Sequence, residues 1–214
     1  NRNRRFVAVR AFEQRFSELP DFELTEPDRF AYRSRQSVLA EITFFRQDFY
    51  KTQYVAGFGR TEDIPYGYRA SFTTGWEIEL GNQRAYLGSQ VYYTSIQPSG
   101  TILTYQVKLA AYIQGAATED GLLSLHFRRF SQAYSMGRKK IRHQIETGYS
   151  WLFNQRVKRG MDINDINGIT GFTPISLVGT QRLTLAEEVV MYTPWRLLGF
   201  RLAPVMRIDL AMIN

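Results

Sequence analysis

Cysteine is absent from this chain of 214 residues, and histidine occurs only twice. Without cysteine the chain can form no disulfide, no thiolate metal site and no cysteine nucleophile. The two histidines, His126 and His143, have no metal-ligand spacing to each other or to an acidic residue. A nucleophile elbow, a phosphate-binding loop and a zinc signature are missing as well. We therefore expect no enzymatic activity, no metal site and no cofactor.

Long apolar runs and clusters of one charge are also missing. No run approaches the about 18 residues that a membrane helix needs, which excludes helical spans. The formal net charge is +7, but the basic residues are scattered singly between apolar ones. A phosphate backbone selects a clustered basic stripe or helix. Nucleic acid is therefore not an expected partner.

The sequence does have strict alternation of apolar and polar residues, which is the period of a β-strand. About ten such runs of about nine to fourteen residues are present, whereas soluble strands usually have about five or six. Tilted membrane strands need about nine to eleven residues. The chain also has 13 tyrosines and 15 phenylalanines, an enrichment that fits aromatic girdles at membrane interfaces. The pattern predicts an all-β fold, a transmembrane antiparallel β-barrel forming a single domain over 1–214.

Alternation assigns each side chain to lipid or to the polar interior. The residues expected to face lipid are Tyr68, Phe72, Trp76, Leu103, Tyr105, Val107, Phe200, Met206 and Ile208. Those expected to face the interior are Arg69, Glu77, Lys108, Glu146, Arg207 and Asp209. Residues 46–51 are expected to turn the chain into a strand near 52–58, followed by a loop at 59–67.

Glu187 and Glu188 are adjacent, so one of them must leave the polar face. Glu187 shares its parity with Leu183, Leu185 and Val189, which places it on the oily face. A β-bulge that re-aims it, or a loop or partner that covers it, would relieve the cost of that position. Both solutions remain open at this point.

Residues 168–212 carry a family resemblance. They consist of GITGF, a polar spacer ending at Gly179, RLTLAEEVVMY (182–192), the turn TPWRLLG (193–199) and FRLAPVMRIDLAM (200–212). This order resembles the BamA/TamA-like surface-antigen family, in which an Ile/Val-Arg-Gly-Phe/Tyr loop precedes a strand with an acid, a turn and a strand with Asp-x-Gly. The residues at the corresponding positions here are Ile169, Thr170, Gly171, Phe172, Glu188 and Asp209. Thr170 replaces the family's Arg, and Ala211 replaces its Gly.

The resemblance implies a location in the bacterial outer membrane and a barrel that inserts or translocates other proteins. It implies sixteen strands, so the sequence is expected to be an interior portion of a barrel, incomplete at both ends. The implied partners are outer-membrane lipid, client proteins and accessory subunits. The residues alone support only the barrel. A passive pore or a barrel that anchors a missing domain remains an alternative, and so does a soluble β-rich binding protein.

In the family, the loop folds back into the barrel and its Arg meets acidic elements on the inner wall. Residues 168–172 are therefore expected inside the barrel, beside the polar face of 200–212. Thr170 would offer Asp209 only a neutral hydrogen bond, which is weaker than a charged one. Alternatively, Arg201 or Arg207 serves Asp209.

Overall fold

The computed structural model describes residues 3–18, 32–79, 82–164, 168–169 and 177–214. Among these residues, no helix is both long enough and apolar enough to cross a membrane. The strands are β1 (Arg4–Gln14), β2 (Arg35–Gln53), β3 (Thr61–Glu79), β4 (Asn82–Ile96), β5 (Ile102–Gln114), β6 (Ala117–Phe130), β7 (Tyr134–Met136), β8 (Lys139–Phe153), β9 (Met161–Asp162), β10 (Val178–Gly179), β11 (Gln181–Tyr192), β12 (Arg196–Leu197), β13 (Phe200–Arg201) and β14 (Val205–Ile213).

Ten of these strands form one antiparallel sheet. Its order is β1-β2-β3-β4-β5-β6-β8-β11-β14, and the short β7 pairs with β8. The predicted all-β antiparallel fold of about ten strands is confirmed. The sheet is not closed into a barrel, because in the described residues β1 pairs only with β2 and β14 only with β11.

The hairpin of β2 and β3 corrects the sequence interpretation of 46–67. The two strands have 19 residues each and stay in register from Arg35↔Glu79 to Gln53↔Thr61. The turn predicted at 46–51, the strand at 52–58 and the loop at 59–67 are therefore wrong. Proline lacks the backbone N–H that donates in a β-ladder, and it is tolerated where a strand lies at the edge of a sheet. Pro65 meets this condition, because β4 pairs with β3 only from Gly67 onward.

The last strand is also shorter than expected. The sequence predicts a single strand over 200–212, but Phe200 and Arg201 pair with β12 in a separate hairpin. The main sheet resumes only at Val205, which lies opposite Val190. Met206 and Ile208 are exposed as predicted, whereas Asp209 is half-buried.

The two faces of the sheet are sorted in the opposite way from a protein with an apolar core. On β3, Glu77 and Glu79 are 5% and 2% exposed, while the intervening Trp76 and Ile78 are 50% and 39% exposed. The remaining buried polar residues include Thr43, Arg84, Thr94, Thr104, Arg142 and Arg182. Of the residues predicted to face lipid, Phe72, Tyr105, Val107 and Phe200 are exposed, and Tyr68 and Leu103 are half-buried.

The sheet curls around its polar face. The connection after β2 reaches β11, where the Tyr192 hydroxyl donates to the Tyr54 carbonyl at 3.0 Å. The connection after β8 reaches β3, where Arg156 contacts Glu79. Both contacts cross strands that lie between their partners in the sheet order. The polar face is therefore concave and the apolar face convex.

Candidate functional site

The candidate site is the concave face together with the connections that fold onto it. Antiparallel strands alternate in direction, so the connections gather at two ends of the sheet. The described parts of the connection between β8 and β11, residues 154–164, 168–169 and 177–180, lie at what we term the motif-loop end. The connections 54–60 and 193–204 lie at the opposite end, which we term the hairpin end.

A buried ionic cluster lies at the motif-loop end. Arg84 donates through Nε and Nη2 to Oε1 of Glu77 at 2.9 and 2.7 Å. Its Nη1 donates to Oδ2 of Asp120 at 2.6 Å. Its guanidinium also lies 3.8 Å from the centroid of the Tyr112 ring, and the Tyr112 hydroxyl donates to Oε2 of Glu77 at 3.2 Å. Burial costs each of these charges solvation, and the cluster offsets that cost by hydrogen-bonding them to one another.

Arg156 ties the beginning of the 154–180 connection to this cluster. Its side chain donates to the Glu79 carboxylate, and its backbone N–H donates to Oδ1 of Asp120 at 3.0 Å. Asp120 therefore accepts from both Arg84 and Arg156. The connection leaves β8 already held against the concave wall.

The next part of the connection packs on the same face. Met161 and Ile163 are 8% and 5% exposed, and the N–H of Ile169 donates to the carbonyl of Ile163 at 3.0 Å. Gly168 and Ile169 border a small cavity of about 70 Å³. Its polar lining comes from His126, Arg128, Glu146, Thr184, Arg207 and Asp209.

The rest of the predicted motif loop, Thr170, Gly171 and Phe172, lies outside the described residues. A contact between Thr170 and Asp209 therefore stays a prediction. The chain is brought to the inner wall at Ile169, the residue immediately before Thr170.

Asp209 has a cation on its own strand. Arg207 donates to it through Nε at 2.9 Å to Oδ2 and through Nη2 at 2.8 Å to Oδ1. Residues two apart on a strand share a face, which allows this bidentate contact. The other candidate base, Arg201, lies in β13 directly opposite Arg196.

Glu188 continues this row of alternating charges. It lies opposite Arg207 on the neighbouring strand, with Oε2 of Glu188 3.8 Å from Nη1 of Arg207. Its Oε1 accepts from Nη2 of Arg142 at 3.0 Å. On the adjoining strands, Arg128 and Glu146 form a further pair at 2.7 Å. The predicted partners Glu188, Arg207 and Asp209 therefore form one polar strip beside Ile169.

The inward fold of 54–60 is a feature that the sequence interpretation missed. Arg142 donates to the Val55 carbonyl, and the rings of Tyr54 and Phe58 lie 5.1 and 5.4 Å from that of Tyr192, edge to face. Tyr54 has a positive φ of 64°, which is uncommon outside glycine. Gly57 and Gly59 are the sequence signal for a loop here, but no local pattern indicates that it folds inward.

Glu62 closes the base of this loop. Its Oε2 accepts from the backbone N–H groups of Val55 and Ala56 at 3.1 and 2.9 Å. Burial acts to raise the pKa of the Glu62 carboxyl, but the Ala56 amide, Arg60 and the Val55 amide together hold it below its ordinary value. Glu62 lies beyond the part of β3 that β4 covers, at the protruding end of the β2–β3 hairpin.

The structure excludes the first of the two solutions left open for Glu187, the β-bulge. The β11 ladder runs without a register shift on either side, so no bulge re-aims this residue. Oε1 of Glu187 lies 3.2 Å from Nδ1 of His143, and Nε2 of His143 lies 3.0 Å from the Tyr134 hydroxyl. The short strand β7 thus brings Tyr134 over His143, which partners the acid on the convex face.

A larger cleft of about 520 Å³ opens on the concave face near β2, β3 and β4. Its lining includes Phe6, Phe45, Tyr92, Gln47 and Arg69. Arg69 lies on the predicted face but is exposed because this cleft is open.

Within the described ranges, no group of three histidine or acidic side chains is arranged to hold a metal ion. Compared with known proteins, the chain matches no family model, and no curated protein or solved structure matches it.

Proposed function

We propose that this chain is part of an outer-membrane β-barrel of the BamA/TamA-like surface-antigen type, acting in the insertion or translocation of other proteins. The observation that carries the membrane assignment is the sorting of the two faces. Thr43, Glu77, Glu79 and Arg84 are buried, whereas large apolar side chains on the same sheet are exposed. In water this arrangement would expose a large apolar patch, and large patches mark interaction surfaces. Lipid on the convex side accounts for it.

The strand lengths support the same assignment. At about 3.4 Å per residue and a tilt of about 45°, the 13 residues of β5 rise about 30 Å. The apolar band of an outer-membrane barrel is about 25 Å tall. A strand of about five residues, typical of soluble sheets, would not cross it.

The open edges of β1 and β14 need partners in this setting. Unpaired backbone groups are costly in hydrocarbon, so spanning sheets are closed. We propose that further strands close the sheet, in keeping with the larger barrel that the family resemblance implies.

The inward-folded connections favour a role other than a passive pore. At the hairpin end the loop 54–60 is held over the concave face by Arg142 and Tyr192. At the motif-loop end Arg156 and Ile163 hold residues 154–164 and 168–169 on the same face. Connections held across the interior narrow or plug it, which favours a gated barrel over a permanently open pore.

The membrane assignment is tested by purifying and reconstituting the protein together with the strands proposed to close its sheet. We expect it to need detergent, to insert into lipid vesicles and to give no steady ion conductance. A stable, monodisperse chain in buffer without detergent would establish the soluble binding protein instead. Open-channel conductance in planar bilayers would establish the passive pore.

The insertion activity needs a separate test. Vesicles that contain the chain are expected to accelerate the folding of a small outer-membrane barrel added in urea, compared with empty vesicles. The folding rate is also compared with that in vesicles that contain the Glu79→Gln variant, in which the contact between Glu79 and Arg156 is weakened. Equal folding rates in empty and loaded vesicles would reduce the function to membrane anchoring.

A further inference from the structure

The β12–β13 hairpin at the hairpin end is built in an unusual way. Its turn residues Leu198 and Gly199 both have positive φ, at 49° and 85°. Two-residue hairpin turns with positive φ at both positions are type I′ turns, which strongly prefer Asn or Asp followed by Gly. A branched apolar residue is strained in this left-handed conformation. Leu198 is nevertheless 90% exposed at the tip. A local rule broken at an exposed site indicates a function for the side chain.

The two strands of the hairpin present different chemistry on their two sides. Leu197 lies opposite Phe200, and the pair is 60% and 75% exposed. Arg196 lies opposite Arg201, and both are exposed. Since successive residues of a strand point to opposite sides, one side is apolar and the other is basic.

The arginine pair has no counter-charge among the described residues. Like charges directly opposite each other on neighbouring strands are destabilising. In the part of the chain that the structure describes, no acidic side chain forms an ion pair with Arg196 or Arg201. The hairpin itself is well held at its base, because the backbone N–H and the hydroxyl of Thr193 both donate to the Leu202 carbonyl, and the Leu202 N–H donates to the Trp195 carbonyl. Two exposed guanidinium groups at paired positions, without an acidic partner in the described residues, are a site for an anion.

The turn before β8 and the first residue of β8 add to this charge. Nζ of Lys139 lies 5.1 Å from the centroid of the Trp195 ring, which joins the two neighbouring connections. Arg138, in the same turn, is exposed. Trp195 is itself 51% exposed, and tryptophan is enriched where membrane meets water.

We propose that this basic hairpin patch, formed by Arg138, Lys139, Trp195, Arg196, Leu198 and Arg201, binds the phosphate groups of anionic phospholipids at the membrane surface. The proposal rests on the membrane assignment above. Lipid is favoured over an acidic protein because the cations adjoin exposed Leu197, Leu198 and Phe200, and a phospholipid supplies the anion and the apolar chain together. The hairpin lies in the interface, with the arginines at the headgroups and the leucines below them.

Two single-tryptophan chains test the proposal, since the sequence has three tryptophans. Trp76→Phe with Trp151→Phe leaves Trp195 as the reporter at the patch. Trp76→Phe with Trp195→Phe leaves Trp151, which is 40% exposed near the motif-loop end of β8, as the reporter away from it. Each chain is reconstituted in mixed phosphatidylcholine–phosphatidylglycerol vesicles, in which one lipid at a time carries brominated acyl chains that quench tryptophan.

We expect the quenching of Trp195 to show a preference for phosphatidylglycerol over phosphatidylcholine of about fivefold or more. This is the factor that each surface cation contributes to the binding of anionic lipid. Added salt should reduce this preference. Arg196→Gln with Arg201→Gln should remove most of it. A control of equal charge change, Arg15→Gln with Lys158→Gln at the opposite end, should leave it intact.

The outcomes separate this proposal from the one on which it rests. Quenching of both reporters with no lipid preference at Trp195, or a preference that survives the paired arginine substitution, would overturn the patch and leave the membrane assignment standing. Absence of quenching at both reporters would overturn the membrane assignment, and the patch with it.

Discussion

Replacing Arg84 by methionine removes the central cation of the buried cluster at the motif-loop end. The side chains of Arg84 and Glu77 are 3% and 7% exposed, so the loss of one leaves the other charged and out of contact with water. Breaking a buried pair in this way costs about 3–5 kcal/mol. Asp120 still accepts a hydrogen bond from the backbone N–H of Arg156, which limits the loss of stability. We therefore expect the free energy of unfolding to fall by about 3–5 kcal/mol.

The chain offers a matched control in Arg128. It lies 2.7 Å from Glu146, as Arg84 does from Glu77, but its side chain is 46% exposed. Solvent screens such a pair, so Arg128→Met should cost at most about 1 kcal/mol. Urea unfolding in detergent, followed by tryptophan fluorescence, compares the two variants. Adding Glu77→Gln to Arg84→Met should recover part of the loss, because the stranded charge is then removed.

Equal costs for Arg84→Met and Arg128→Met would refute this reasoning. That result would mean that water reaches Glu77 as freely as it reaches Glu146. The concave face would then be a hydrated channel wall instead of a packed ionic core, which would favour the passive pore.

Three further predictions follow from the faces and the loops. Val107→Arg on the convex face should cost roughly 2–4 kcal/mol of folding into bilayers, and Gln106→Arg on the concave face should cost little; equal costs would contradict the face assignment. The pKa of Glu62 is depressed in the folded chain, so its contribution is complete above the ordinary value of about 4.3 and is lost as the pH falls below it. Hydrogen exchange of 54–60, corrected for the intrinsic rate, should therefore rise only in that acidic range, and Glu62→Gln should show fast exchange already at neutral pH. Thr170→Arg should destabilise the chain relative to Thr170→Gln, because Asp209 already pairs with Arg207. A higher urea midpoint for Thr170→Arg than for Thr170→Gln would contradict this prediction.

The faces of the strands could be predicted from the sequence because a period of two needs no knowledge of the partner strand. Trp76 and Val107 are exposed and Glu77 is buried, as the alternation predicts. The register between strands could not be predicted in this way, because it depends on which residues of two strands lie opposite each other. The partner of Glu187 is His143, and it becomes apparent only when β8 is aligned with β11.

The ends of the strands were predicted poorly, for a related reason. Pro65 and Gly67 indicate a loop when read locally, yet both lie in β3, where the ladder to β2 outweighs turn propensity. The true loop begins at Tyr54, and its position depends on Tyr192, which is 138 residues away in sequence. Composition within a short window contains no information about a contact of that range.

Charge balance on the inner wall bears on one of the two positions where the chain departs from the family pattern. In the proposed family interpretation, a loop arginine would face Asp209, but this position is Thr170. The wall beside Ile169 already holds Arg207 against Asp209, Arg142 against Glu188 and Arg128 against Glu146. Every acid in this strip has a cation on the sheet itself. In that interpretation, a neutral residue at position 170 adds no unpaired charge to the wall, and Arg207 on the strand takes the role of the loop arginine.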